Sequence, residues 1–202
     1  MEGLLFYNPS ASMYSLDLTK AEEHLKLAWD GELWEQGFKF TLLHNSGNLP
    51  RETACRILAD SLLAINPKFQ ISVQPVEWGT YSDGIFGSHM PMFQIGWAAD
   101  YPDPNNLVFG FMASYGVFAQ FQGYSDSHVD DLIAQGTSTT DSSERQAIYY
   151  ELQQIYYDDA LSIVLVQPLG RRYFTKYVEG FYFNPMIWGL PGPLYYMSKS
   201  ES

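Results

Sequence analysis

With 202 residues, 46% of them hydrophobic and 17% charged, the chain has the composition of a folded protein, which excludes a disordered acidic tail despite a net charge of −12. Only 11 Lys and Arg are present, with no basic run longer than Arg171-Arg172, so the electrostatic footprint of a nucleic-acid or anionic-lipid binder is missing. A single cysteine, Cys55, excludes an intrachain disulfide.

The first predicted element is a helix in "LDLTKAEEHLKLAWD", capped near Asp17 or Thr19, with Leu18, Ala21, Leu25, Ala28 and Trp29 at helical spacing. "FKFTLLHNSG" alternates Phe38, Phe40 and Leu42 before a glycine turn and predicts a strand. A second helix is expected from about Pro50, where proline suits a first turn, through Ile57, Leu58, Leu62 and Ile65, with Pro67 helping to stop it. It carries Cys55 as a buried structural thiol. "FQISVQPVEW" gives the next strand, with Phe69, Ile71 and Val73 on one face. The polar stretch "GTYSDGIFGSHM" reads as a linker to an apolar strand, "MFQIGWAA". Two further helices follow, Ser127 to about Gln135 and Asp141 to about Asp159, the second with Ile148, Leu152 and Ile155 on its buried stripe. "SIVLVQPL" then predicts a buried strand ended by Pro168 and Gly170. From Arg171 the pattern is short and extended, with apolar residues that need a partner surface. Helices alternating with strands predict an α/β class, a mixed sheet covered by helices, with an extended C-terminal segment.

Chemistry concentrates in "GWAADYPDPNN". In open α/β sheets ligands sit beyond the carboxyl ends of strands, and Asp100 follows the apolar "FQIGWA" run by two residues. Pro102 presets the segment as extended, which lowers the ordering cost of binding. Asp103 precedes Pro104 and "NNLVFGFM", so an N-cap with proline at the first helical position is expected there. Two readings of Asp100 stand open: its charge is met inside the protein by an arginine or by backbone N–H groups, or it is met by a cationic ligand. Aromatic residues, 16% of the chain, suit stacking walls for a ligand and equally a tyrosine-rich core and rim.

Together, "VEWGTY", "MFQIGWAADYPDP", "GYSDSHVDDLI", "ERQAIYYELQQIYYDDALSIVLVQP" and "VEGFYFNPM" resemble the C-terminal portion of the family 5 extracellular solute-binding proteins, the oligopeptide and dipeptide receptors of ABC importers. The resemblance runs from about Asp17 to Met186 and implies a lobe of the periplasmic-binding-protein type II kind. Residues 1–170 would form that lobe, and residues 171–202 would return toward an N-terminal lobe of a parent chain. In peptide-binding members the matching aspartate receives the peptide α-ammonium, which assigns Asp100 as amine anchor beside Trp97 and Tyr101. Main-chain groups of Gly96, Trp97 and Ala98 would pair with the extended peptide. Some members bind cello-oligosaccharides or other small solutes, so an oligosaccharide ligand is the alternative. The implied partners are the ligand, the missing lobe and a membrane ABC permease, in a periplasmic or extracellular setting that includes lipid-anchored proteins. No cofactor is implied. "MEGLLFYNPS" lacks the pattern of a secretory leader, which the resemblance explains as a start within a longer protein.

Enzymatic readings are weaker. A glycosidase using Asp100 and Asp103 needs two carboxyls facing one substrate, whereas these share one local loop. There is no G-x-S-x-G elbow. Asp126, His128 and Asp130 invite a metal, but a helix start with acidic residues explains them more simply. The expectation is therefore no catalytic residue and no metal site.

Overall fold

The computed structural model describes residues 5–167, 171, 173–182 and 194–200. They fall into two compact units, one comprising Ser15–Trp97 and the other Met1–Tyr14 with Ala98–Ser202.

In the first unit, α1 (Leu18–Leu27) starts at Asp17, whose side chain accepts from the Lys20 N–H, as the sequence predicts. A short 3-10 turn (Ala28–Gly31) and α2 (Glu32–Gln36) lead into β1 (Phe38–Asn45). The entry to β1 requires glycine: Gly37 has φ +71, and a Cβ there would run into Lys68, whose carbonyl accepts the Phe38 N–H. α3 (Leu49–Ile65) is capped by the Asn48 side chain and carries Pro50 in its first turn. It crosses over to β2 (Phe69–Val76), which pairs parallel with β1 in the register Phe38↔Phe69 to Asn45↔Val76. Phe69 is fully buried, stacked on Phe38 at 4.6 Å and met edge-on by Trp34 at 5.8 Å. Cys55 lies buried on α3, and burial pushes its thiol up, as suits a structural cysteine.

The stretch expected to be a linker is instead a helix, α4 (Trp78–Phe86), because Tyr81 and Ile85, four apart, give it one buried face that its glycines and polar residues mask in the sequence. The apolar run after it forms no strand. Both main-chain groups of Gln94 are taken by one side chain: the Tyr81 hydroxyl donates to the Gln94 carbonyl and accepts from its N–H, each at 2.8 Å.

In the second unit, α5 (Asn105–Met112), α7 (Ser127–Ser138) and α8 (Ser142–Asp158) line one apolar core, and α6 (Val117–Gln122) packs on α5 through Phe118 stacked on Phe111. Met112, Ala113, Val129, Leu132, Ile133, Ile148, Tyr149 and Leu152 form the core. α7 and α8 match the expected helices. Asp126 caps α7 by accepting from His128 and Val129, and Asp141 caps α8 by accepting from Ser143 and Glu144. α6, at six residues too short to show a period, lies outside the sequence expectation. The N-terminal segment lies on α8, with Gln153 bonding Asn8 N–H and Phe6 carbonyl at 3.0 Å each.

The expected buried strand after α8 is not found. Residues 161–167 carry no strand, and Ile163, Val164, Leu165 and Val166 are 66%, 76%, 56% and 75% exposed. A continuous apolar run becomes a buried strand only where neighbouring strands pair with it, and among the described residues none does. Its predicted stops, Pro168 and Gly170, lie outside the described residues. The tail pairs with itself, β3 (Val178–Glu179) running antiparallel to β4 (Ser198–Lys199). Among the described residues the architecture is thus mixed α/β, helices with two small sheets, the class expected.

Candidate ligand-binding site

The loop that carries both carboxylates belongs, from Ala98 onward, to the second unit; Gly96 and Trp97 close the first. Gly96 is exposed, and Trp97 and Tyr101 are 42% and 40% exposed. Asp100 is exposed as well. Its N–H donates to Asn106 Oδ1 at 3.3 Å, and Asn106 Nδ2 donates back to Asp100 Oδ2 at 3.4 Å, so one amide side chain meets Asp100 on main chain and carboxylate together. Tyr101 adds a smaller link, its hydroxyl accepting from Asn105 Nδ2 at 3.4 Å.

Asp103 has a different environment. Its N–H donates to the Tyr101 carbonyl at 2.8 Å, its carbonyl accepts the Asn106 N–H at 3.1 Å, and Oδ1 accepts the Asn105 N–H at 2.9 Å. Arg145, in the first turn of α8, then grips both carboxylate oxygens at 2.9 Å, a bidentate pair with both side chains mostly buried. Burial alone would raise the Asp103 carboxyl, but the Arg145 hydrogen bond, the Asn105 N–H and the guanidinium charge outweigh it and hold the group below the usual carboxylate range. The sequence expectation for Asp103 is met in part: α5 begins at Asn105 with Pro104 as its cap residue, while Asp103 still serves the first free N–H.

Arg145 escaped the sequence reading. Its signal was a cation placed in the first turn of a helix, where the macrodipole disfavours positive charge. The guanidinium also donates from Nε to the Gly136 carbonyl at 2.7 Å and lies over the Phe6 and Tyr149 rings at 5.5 and 5.2 Å. Asp100, by contrast, takes part in no ion pair among the described residues. The two acids of one loop thus sit in different surroundings, Asp103 in a bidentate ion pair and Asp100 exposed beside an amide.

The acidic cluster at α7 divides in the same way. Asp126 caps the helix, Asp130 accepts from the Ser114 N–H at 2.8 Å, and His128 pairs with Glu151 at 2.9 Å. Among the described residues no three potential ligands gather for a metal ion.

Comparison with known proteins agrees with this architecture. Residues 2–118 match the model of the bacterial extracellular solute-binding proteins, family 5 middle. The chain is 27% identical over 188 residues to the probable D,D-dipeptide-binding periplasmic protein of Escherichia coli, covering 92% of this chain and 35% of that protein. It is 26% identical to the dipeptide-binding protein of the same organism, covering 89% of this chain and 34% of the relative. Among solved structures, the Helicobacter pylori periplasmic binding protein DppA in complex with the peptide STSA superposes with TM-score 0.69 at 27% identity, over 81% of this chain and 31% of that one. The Escherichia coli murein tripeptide binding protein superposes with TM-score 0.74 at 19% identity, over 92% and 36%. The fold is therefore that of the periplasmic binding proteins, and the chain spans about a third of the length of the relatives it matches. These relatives are solute-binding proteins rather than enzymes. By its sequence match and its fold, the chain belongs to the family 5 bacterial extracellular solute-binding proteins.

Proposed function

We propose that the chain is part of the peptide receptor of an ABC importer and that Asp100 anchors the ligand's α-ammonium group. The observation that carries this reading is an exposed carboxylate held on a preset loop with an amide beside it and, among the described residues, no ion-pair partner. A solved structure of 27% identity holds the peptide STSA, which supports the peptide as ligand class. Gly96, Trp97 and Ala98 would offer main-chain groups to the extended peptide, with Trp97 and Tyr101 as apolar walls. Residues 1–170 would act as one lobe of a periplasmic or extracellular receptor, with residues 171–202 returning to the other lobe, and a membrane permease would receive the ligand.

The test is an NMR titration of the chain with the tetrapeptide STSA, with its N-acetylated form and with cellotetraose. A charge-assisted bond to Asp100 contributes ~1.5–3 kcal/mol, so acetylation, or Asp100→Asn, should weaken binding about tenfold or more. Equal affinity for the free and the acetylated peptide overturns the anchor. Binding of the sugar alone moves the protein to the oligosaccharide receptors.

A further inference from the structure

The contact between Asp100 and Asn106 is long, at 3.3 and 3.4 Å, and it is exposed. Two such bonds in water do not order a loop by themselves, because each competes with solvent and adds little net. Their geometry persists only if the main chain between the two residues is already fixed. That main chain turns about Asp103, whose N–H and carbonyl bond Tyr101 and Asn106. The side chain of Asp103 is in turn fixed from outside the loop, by Arg145, 42 residues on.

We propose that Arg145 is a positioning residue for the Asp100 carboxylate: by gripping Asp103 it holds the 100–106 turn in the form that lets Asn106 bond Asp100. The proposal rests on the reading of Asp100 as the amine anchor for its functional meaning, though not for its geometry. Arg145 is suited to the task because it is itself over-determined. Its fork is spent on the two Asp103 oxygens, its Nε on the Gly136 carbonyl, and its faces on Phe6 and Tyr149. Tyr149 is 1% exposed and part of the apolar core, so the guanidinium is tied to the core of the unit. With its donors committed in this way, Arg145 acts on the ligand through the loop and not by touching it. A lysine at the same place would keep the charge and lose the fork, which separates positioning from bulk electrostatics.

The experiment uses the ¹⁵N-labelled chain and three variants, Arg145→Lys, Arg145→Gln and the exchange Asp103→Arg with Arg145→Asp. Two quantities are read: the side-chain amide signals of Asn106 without ligand, and the affinity ratio for STSA over N-acetyl-STSA. In Arg145→Gln the two Asn106 amide protons should move toward the shifts of a solvated amide, and the affinity ratio should fall about fivefold, the worth of one ordinary hydrogen bond. Arg145→Lys should show the same change in smaller degree, and it serves as the decisive variant if Arg145→Gln does not fold. The exchange should recover part of both readouts. A role limited to stability would lower the melting temperature and leave the Asn106 signals in place, so unchanged signals in a folded Arg145→Lys or Arg145→Gln chain overturn the proposal. If the wild type binds both peptides equally, the anchor reading fails, while the Asn106 signals still decide the role of Arg145.

Discussion

A single hydroxyl, that of Tyr81, takes both main-chain hydrogen bonds of Gln94, donating to its carbonyl and accepting from its N–H at 2.8 Å each. Tyr81 is fully buried on α4, and burial pushes its phenol up, so the hydroxyl remains a neutral donor and acceptor. Removing it in Tyr81→Phe leaves two main-chain groups without their partner. Such a loss costs about 1–3 kcal/mol, so urea denaturation should show the midpoint moving down by the corresponding amount. Hydrogen exchange of the Gln94 amide should accelerate in the same variant even under conditions where the rest of the unit is protected.

The Asp103–Arg145 pair sets an acid limit on stability. The folded carboxyl lies below its usual value, so the unfolded chain binds the proton more readily. The contribution is therefore fully present above the unfolded pKa of about 3.9 and is lost as pH falls through the lower, folded value. Urea midpoints of wild type and Asp103→Asn, measured from neutral pH downward, should differ by a constant amount until about pH 4 and then converge. A difference that stays constant to lower pH would show that the pair is not the source.

Cys55 should be silent toward alkylation in the native chain. It is fully buried, Gln94 Nε2 donates to its sulfur at 3.3 Å, and burial pushes the thiol up, so little thiolate is available to react. Iodoacetamide modification should follow the unfolding equilibrium, with rates rising in step with the urea transition. Rapid labelling without urea would place the thiol at the surface.

The legible parts of this chain were the local ones. α1, α3, α7 and α8 announce themselves through period, α1 also through its cap at Asp17 and α3 through Pro50 in its first turn, whereas the caps at Asn48 and Asp126 became visible only in the structure. β1 and β2 show the alternation of Phe38 and Phe40, and of Phe69 and Ile71. α4 was hidden because Gly79 and Gly84 sit within its turns, and its helical period rests chiefly on Tyr81 and Ile85. The runs at 92–99 and 162–169 look like strands, yet a strand is a relation between two segments, and composition describes only one of them. At the candidate site, the sequence singles out Asp100 by its place after an apolar run, which forms no strand, whereas Arg145 reaches Asp103 across a separation that no local pattern records.

Phe38 and Phe69 face one another in the ladder although the whole of α3 lies between them in the chain. A parallel pair cannot begin at a hairpin and close residue by residue; its ends must be brought together across the crossover before any ladder bond repays the lost freedom. Closure across that crossover is thus an entropic cost met before the ladder forms, and substitutions that raise the helix propensity of α3 should quicken refolding in a stopped-flow measurement.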